Sequence, residues 1–309
     1  MKRILITGAT GFIGRHLLKD IDFTKYHIRL ITRSKVELLK NTYPNFEIVQ
    51  ADLNDFSLLN SACKGVNIIV NTAAEVRNHE LLEKTNVGGT HNLIKVIKSQ
   101  NIEKLIHLSS VGVAGYQYSN TKLVVSEDSN CSPKNEYERT KLASELLLVS
   151  AQKEFQFQLD IIRPTNVFGE EHPFNALLGL IKHTKNERPF LFSQGAQVNY
   201  VYVKDISYLI EKLLMLNESK GLINVGKALP LIDFYNMIKL ELGTHNKKIQ
   251  IPDFIIRLLN FMGMKQLQSV SNGIIYSDQK LNQFYNYHFG EHEGLRRTIK
   301  YYKQLNLLK

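Results

Sequence analysis

The sequence predicts an α/β fold, a doubly wound parallel sheet joined to a smaller, mostly helical C-terminal lobe. Three observations predict it. Short β-rich apolar runs alternate with helical patterns through the first half of the chain, as in successive strand–helix–strand units. A GxxGxxG spacing (Gly8, Gly11, Gly14) stands where the first apolar run gives way to the first helical pattern. Beyond Pro164 the alternation loosens. With 309 residues, 43% hydrophobic and 22% charged, the chain has an ordinary globular composition and can bury a sizeable core.

The first strand runs from Lys2 to Gly8, and Phe12, Ile13, Leu17 and Leu18 open a helical pattern at once. In a strand–turn–helix that holds a dinucleotide, Gly8 makes a turn that a Cβ would obstruct. Gly11 lets the backbone approach a pyrophosphate, and Gly14 lets the helix pack on the strand. The phosphates then face free N–H groups at the positive end of the helix. Ile28–Thr32, Phe46–Val49, Asn67–Val70 and Lys104–Leu108 read as the second to fifth strands, and the clearest helix between them covers Leu81–Ser99. A glycine- and polar-rich stretch, Gly112–Lys134, predicts a loop at the active-site edge. Glu136–Ala151 reads as a helix and Leu159–Arg163 as the sixth strand. Further on come a helix over Phe174–Lys185, a strand over Asn199–Val203, a helix over Asp205–Leu216 and a strand over Gly221–Gly226. After Pro230 there are helical segments without a clear sheet pattern. The expected organisation is a dinucleotide-binding domain of residues 1–169 with about 200–228, and a substrate lobe of about 170–199 with 229–309.

The net charge of +10 favours anionic partners. The basic residues are dispersed, without the clusters of a nucleic-acid module, so a phosphorylated small molecule is the expected partner and nucleic acid is not. Two cysteines, Cys63 and Cys131, form neither a disulfide framework nor a metal-ligand spacing, and no metal site is expected. No stretch approaches the roughly 20 apolar residues of a membrane span, and the N-terminal run is broken too early for a signal peptide. A cytoplasmic location is expected.

The end of the second strand is where a carboxylate would take the adenosine ribose 2′-hydroxyl of NAD. Here the chain has Thr32-Arg33-Ser34-Lys35. Arg33 can pair with a 2′-phosphate and Lys35 can add charge, whereas a carboxylate would repel that phosphate. NADP is therefore the expected cofactor, with NAD as the alternative.

TGATGFIG, residues 7–14, resembles the cofactor loop of the short-chain dehydrogenase/reductase superfamily in its extended, nucleotide-sugar epimerase/dehydratase-like branch. The resemblance implies a Rossmann fold and cofactor contacts from Gly8, Thr10, Gly11, Phe12, Ile13 and Gly14. Asp52-Leu53 resembles the family's adenine-side contact. Asn71-Thr72-Ala73-Ala74 resembles its segment with paired alanines, with Asn71 for the usual His. Asn86 in Asn86–Leu93 resembles the NVxGTxNLL residue that supports the site. Arg163–Gly169 resembles RPxNVYG, which puts Pro164 near the nicotinamide and Asn166 towards the substrate's phosphate. Tyr200–Asp205 resembles the return segment YVHVxD, in which Asp205 reads as a helix cap. Val198-Asn199 stand where many members carry Arg-Asp, the Arg clamping the substrate pyrophosphate. Lys182, His183, Lys185 and Arg188 are candidates to replace that charge. The last helix is matched by Glu293–Tyr302.

The candidate catalytic group is Ser110, Tyr137 and Lys141. Reduction of a ketone by a dihydronicotinamide needs an acid for the forming alkoxide. A phenol with a pKa of about 10 needs help to exchange its proton near neutrality. A Lys one helical turn along favours the phenolate, and a Ser hydroxyl can hold the substrate oxygen. Six tyrosines have Lys four places on: Tyr118, Tyr137, Tyr200, Tyr208, Tyr235 and Tyr276. Tyr118–Lys122 lies in a poor helix former, Tyr200–Lys204 straddles a strand, and the last three follow the alternating region. Tyr137–Glu145 opens a good helix before the sixth strand and resembles YxxSKxxxE, with Thr140 for Ser. Leu108–Gly115 resembles SSxxVYG, which implies Ser110 as the active hydroxyl, Val111 beside the substrate and Ala114 for the usual Tyr. Dehydratases of the family carry acidic residues after that serine, where Val111 and Gly112 stand here.

These features lead to the expectation of an NADP-dependent oxidoreductase that reduces a 4-keto-6-deoxy sugar on a nucleotide. The alternatives are a nucleotide-sugar 4-epimerase with retained NAD, a reductase of a non-sugar ketone and, remotely, a non-catalytic cofactor sensor. Leu81–Ser99 and Glu136–Ala151 are candidate helices for a homodimer interface.

Overall fold

The structure, a computed structural model of the chain, describes residues 1–33, 36–116, 118–119, 121–172, 176–262, 268 and 270–308. The first elements are β1 (Lys2–Thr7), α1 (Phe12–Asp20), β2 (Tyr26–Thr32), α2 (Val36–Thr42), β3 (Glu47–Gln50), α3 (Phe56–Ala62) and β4 (Ile68–Asn71). They are followed by α4 (His79–Leu82), α5 (Gly89–Ser99), β5 (Lys104–Leu108), β6 (Leu123–Val125), α6 (Glu136–Phe155), β7 (Gln158–Pro164) and β8 (Asn166–Phe168). Next come α7 (Ala176–Lys185), β9 (Phe190–Phe192), β10 (Gln197–Tyr202), α8 (Val203–Met215), β11 (Gly221–Val225) and β12 (Lys227–Pro230). The chain closes with α9 (Leu231–Leu242), β13 (Lys248–Gln250), α10 (Asp253–Phe261), β14 (Ile274–Tyr276) and α11 (Gly290–Gln304).

Two compact units result. The first comprises Met1–Gly115, Cys131–Arg163 and Ile206–Ile223, and the second Tyr116–Asn130, Pro164–Asp205 and Asn224–Lys309. The first unit is built on a seven-stranded sheet of order β11-β7-β5-β4-β1-β2-β3, with parallel pairing at every step from β7 to β3. The strand order reverses between β1 and β4, which opens a crevice at the carboxyl ends of those strands.

Register explains the core. Leu5 pairs with Ile69, Ile69 with Leu105, and Leu105 with Leu159, so one row of apolar side chains crosses four strands on one face. The row is fully buried against Leu59, Ala62, Leu93, Val96 and Leu148 from α3, α5 and α6. Those helices cover the face because a parallel sheet buries both of its faces.

The second unit holds a three-stranded sheet, β12-β10-β8, and two ladders, β13-β9 and β14-β6. Its core includes Phe190, Phe192, Leu231 and Tyr235, with Phe190 and Tyr235 stacked at 3.8 Å between ring centroids. The sequence shows no sheet pattern after Pro230, yet β13 and β14 lie there. Each is three residues long, too short for an alternation to register. The predicted helix Leu81–Ser99 is also interrupted: between α4 and α5, Glu83–Gly88 form a π-helical turn. Asp205 does act as a cap, but not of the helix in which it lies. Its carboxylate accepts from the backbone N–H groups of Phe289 and Gly290, at 2.8 and 3.0 Å, at the start of α11. The predicted helix start at Phe174 lies outside the described residues. Among the described residues no helix is long and apolar enough to cross a membrane.

The first unit also buries an ion pair. Lys104 on β5 and Asp160 on β7 are 3% and 0% exposed, with Nζ and Oδ2 at 3.0 Å. Lys104 Nζ further donates to the Leu213 carbonyl at 2.6 Å. Asp160→Asn therefore leaves an ammonium buried without its countercharge, and should cost about 3–5 kcal/mol in urea denaturation. Replacing both partners by apolar residues of similar volume should cost much less. An unchanged urea midpoint for Asp160→Asn would show that the pair does not hold the fold.

Candidate active site

The turn between β1 and α1 has the strict backbone demands expected of it. Gly8 has φ +70°, and a Cβ there would lie 2.6 Å from Ala73 N and 2.7 Å from the Thr72 carbonyl carbon. A Cβ on Gly14 would strike the Gly8 carbonyl, so helix and turn touch backbone to backbone. Gly11 N–H closes the turn on Gly8 O at 2.8 Å. Gly11 itself is the extended residue before α1, and no side chain caps the helix, so its leading N–H groups are left for a ligand.

A cavity of about 350 Å³ lies at this point. Gly8, Thr10 and Gly11 line it from the turn, Arg33 from the end of β2, Asp52 and Leu53 from the end of β3, and Ala73 and Ala74 from the end of β4. The structure thus brings eight of the predicted cofactor residues to one hollow. Phe12, Ile13 and Gly14 open α1 and do not line it, nor do Tyr137, Lys141 and Pro164, the other expected cofactor contacts, and Lys35 lies outside the described residues. An exposed helix start, a floor of small residues and glycines with no room for a Cβ fit a dinucleotide's pyrophosphate.

Glu75 lines the same cavity. Burial works against its carboxylate, but the N–H groups of Arg77, Asn78 and Val76 and the nearby Arg33 charge outweigh it, and its pKa lies below the usual value. Asp52 is engaged locally, its Oδ1 accepting from Asn54 N at 2.9 Å.

The second cluster gathers on α6 and the end of β5. Asn135 caps α6 by accepting from Glu138 N at 2.9 Å, which fixes where the helix begins. Tyr137, half-buried, lies in its first turn, and Lys141, 2% exposed, lies one turn on. Lys141 Nζ donates to the Leu108 carbonyl at 2.5 Å and stands 3.5 Å from His107 Nε2. Burial brings the Lys141 pKa down to about 8, against the opposing charge of Glu145. Burial also pushes the Tyr137 phenol up to about 12, helped by Glu138. Glu145 is held by Arg163, with Nε to Oε1 at 3.0 Å, so this arginine serves an ion pair. Ser110 accepts from Gly112 N at 3.1 Å and caps a short 3-10 turn, Val111–Ala114, in which Val111 is buried. A Cβ on Gly112 would lie 3.2 Å from both Ser110 Oγ and Glu138 Cγ, so Ser110 and the start of α6 converge there.

Of the six Tyr–Lys pairs, three lie wholly on helices: those of Tyr137, Tyr208 and Tyr235. Lys212 is exposed and Lys239 donates to the Asn246 carbonyl, whereas Lys141 is buried. Asn86, buried in the π turn, accepts from Glu75 N at 2.9 Å and donates to Glu75 O and Thr140 Oγ1, each at 3.0 Å. It therefore ties the cavity loop to the helix that carries Tyr137 and Lys141. His107 is the residue that sequence reading passed over. Its signal was a single polar side chain inside the otherwise apolar strand end Leu105-Ile106-His107-Leu108.

The remaining candidates belong to the second unit. Pro164 is buried, and Asn166 donates to the Asn199 carbonyl at 3.0 Å. Asn199 binds Ile274 O and Tyr276 N through its own side chain, and Val198 packs on the aromatic core. These two positions hold β10 to β14 and to the core. Lys185 donates to Leu308 O and His183 pairs with Pro189 O, while Lys182 is half-buried and Arg188 exposed. The sequence also contains an HxxEH spacing, His288 to His292. There His292 faces Glu241, Glu291 faces Lys227, and among the described residues no three potential ligands converge.

Residues 4–226 match the NAD dependent epimerase/dehydratase family. A putative UDP-glucose 4-epimerase of Methanocaldococcus jannaschii is 28% identical over 261 residues, covering 80% of this chain and 84% of that protein. A trifunctional UDP-glucose 4,6-dehydratase/UDP-4-keto-6-deoxy-D-glucose 3,5-epimerase/UDP-4-keto-L-rhamnose-reductase of Arabidopsis thaliana is 25% identical. That match covers 98% of this chain but 47% of the plant protein, so the chain spans about half its length. In fold, the chain is similar to a solved dTDP-glucose 4,6-dehydratase of Bacillus anthracis in complex with NAD, with a TM-score of 0.76, 20% identity and 100% of both chains covered. The strand order, the glycine turn and the match over residues 4–226 agree, and the chain belongs to the NAD dependent epimerase/dehydratase family, enzymes of the extended short-chain dehydrogenase/reductase type.

Proposed function

We propose that the protein is an NADP-dependent oxidoreductase acting on a nucleotide-activated sugar, and that it reduces the ketone of a 4-keto-6-deoxy sugar. The observation that carries this reading is Arg33. It lines the cavity at the end of β2, where an NAD enzyme presents a carboxylate to the ribose hydroxyls. A guanidinium suits a 2′-phosphate, and NADPH is consumed by a net reduction.

Gly8, Thr10, Gly11, Phe12, Ile13 and Gly14 would hold the pyrophosphate side of the cofactor. Asp52 and Leu53 would meet its adenosine, and Ala73, Ala74 and Pro164 the remainder. When bound, the dinucleotide supplies the hydride that reduces the carbonyl carbon. Tyr137 gives its phenolic proton to the carbonyl oxygen, so that ketone becomes alcohol. Ser110 donates a hydrogen bond to that oxygen and stabilises its developing charge. The Lys141 ammonium, one turn from Tyr137 on the same helix, would favour the phenolate that remains once the proton has left. Val111 and Asn166 would border the substrate.

A second reading has support of its own. The archaeal relative is named as a putative UDP-glucose 4-epimerase, and the similar Bacillus structure holds NAD. A 4-epimerase would retain NAD and use the same Tyr137, Lys141 and Ser110 in both directions.

Titration with NADPH and NADH separates the two readings. Arg33→Ala should weaken NADPH by roughly 10–100-fold and leave NADH unchanged. Tightly retained NAD, indifferent to Arg33→Ala, would favour the epimerase. Tyr137→Phe should lower turnover by about 10²–10⁴-fold with the NADPH Kd intact; undiminished turnover would remove Tyr137 from the reaction. Turnover should also depend on the ammonium. Its folded-state pKa lies below that of a free lysine, so the cation is present below about pH 8 and lost above it. The rate in the reductive direction should therefore fall as pH rises through that value, and a flat profile from pH 7 to 9 would contradict the role given to Lys141.

A further inference from the structure

The row of apolar side chains that crosses the sheet has a polar successor. Two residues beyond Leu5, Ile69 and Leu105, on the same face, stand Thr7, Asn71 and His107, again in register across β1, β4 and β5. All three are buried. They form a connected chain: Thr7 Oγ1 to Asn71 Oδ1 at 2.5 Å, Asn71 Nδ2 to His107 Nδ1 at 3.0 Å, and His107 Nε2 to Lys141 Nζ at 3.5 Å.

The chain has a direction. The Ala73 N–H, which can only donate, reaches Thr7 Oγ1 at 3.3 Å. Thr7 accepts there, and its own hydrogen goes to Asn71 Oδ1. The Asn71 amide then turns its NH₂ towards His107, whose Nδ1 must accept. Burial and the Lys141 charge hold the imidazole pKa well below its ordinary value, so the ring is neutral. A neutral ring that accepts at Nδ1 carries its proton on Nε2, the nitrogen that faces Lys141.

We propose that His107 is a positioning residue for Lys141: Thr7 and Asn71 hold it as the Nε2–H tautomer, and that N–H faces Nζ and favours the neutral amine over the ammonium. Of the other groups, the Leu108 carbonyl accepts from Nζ, Glu145 on α6 acts on Lys141 through its charge, Arg163 on β7 holds Glu145, and Tyr137 lies one turn back on α6. Glu145 and the Leu108 carbonyl favour the cation. Arg163 offsets Glu145, and His107 opposes both cation-favouring groups. Lys141 is thereby kept able to give up and regain a proton near neutrality. The inference rests on Lys141 being the partner of Tyr137, but not on the direction of the reaction.

The test is ¹⁵N NMR of the histidine rings in the whole protein, with ¹³C labelling of lysine to follow the titration of Lys141. His107 is assigned by loss of its signals in His107→Gln. In the unsubstituted protein His107 should show a protonated Nε2 and a bare Nδ1 from pH 6 to 9. Thr7→Val frees the Asn71 amide to rotate, so it should move His107 towards the Nδ1–H form and raise the Lys141 titration midpoint by about one pH unit. Thr7→Ser keeps the hydroxyl and should restore the original tautomer and midpoint, which a merely structural role for Thr7 would not require. An Nδ1–H tautomer in the unsubstituted protein would overturn the proposal, and that measurement needs no variant to fold. So would a Lys141 midpoint unmoved in both Thr7→Val and His107→Gln. Unchanged turnover in Tyr137→Phe would refute the catalytic reading and leave the tautomer result untouched, so the two failures are distinguishable.

Discussion

Lys141, held away from water, needs partners that the first unit has to supply. An ammonium loses its hydration on burial, and only donor–acceptor contacts of good geometry offset that loss. Lys141 obtains one from the carbonyl of Leu108, the last residue of β5. That contact requires α6 to begin where it does, which the Asn135 cap secures. Glu145, one turn further along, brings a countercharge whose effect is moderated because Arg163 holds it. The cation is thus neither abandoned nor locked: burial lowers its pKa to about 8 against the opposing charge of Glu145.

The same balance explains why the edge of the sheet changes character. On this face of β1, β4 and β5 one rung is apolar, Leu5, Ile69 and Leu105, and the next is Thr7, Asn71 and His107. An apolar rung in that place would present no N–H to the amine of Lys141. A polar rung left unsatisfied would be as costly, since a buried polar group without a partner loses its hydration for nothing. The rung is acceptable because its members bond to one another and, at its far end, to the backbone of the cavity loop.

How much of this was legible in the sequence depended on the range of the interaction. The glycine turn was legible because its demands are local: a positive φ at Gly8 and no room for a Cβ restrict the residue type directly. Tyr137–Lys141 was separable from five other pairs with the same spacing because a helix was predictable around it, and burial of the lysine then distinguishes it from Lys212 and Lys239. The Asn71–His107 contact was not legible. Its partners are 36 residues apart and meet only once two strands are in register, which no local pattern reveals. For a similar reason the sequence pointed to Asp205 as a cap but not to the helix it caps, whose start is more than 80 residues away. The ladders of β13 and β14 were hidden by brevity.

The loop after β4 joins the two halves of the candidate site. Residues 72–75 line the cavity, where small side chains at Ala73 and Ala74 leave space. Backbone groups of Thr72, Ala73 and Glu75 are committed elsewhere. Ala73 N–H bonds to Thr7, the origin of the chain that ends at Lys141, and both backbone groups of Glu75 bond to Asn86, which also holds Thr140 beside Lys141. The loop is therefore tied to Lys141 by two separate polar routes, one through the sheet and one through the π turn. A displacement of the loop would strain both, because interiors this closely packed do not deform continuously. The paired alanines accordingly serve two requirements at once, room for a ligand on one side and an unobstructed backbone on the other. This is why the residues that shape the cavity and those that set the basicity of Lys141 form one polar scaffold.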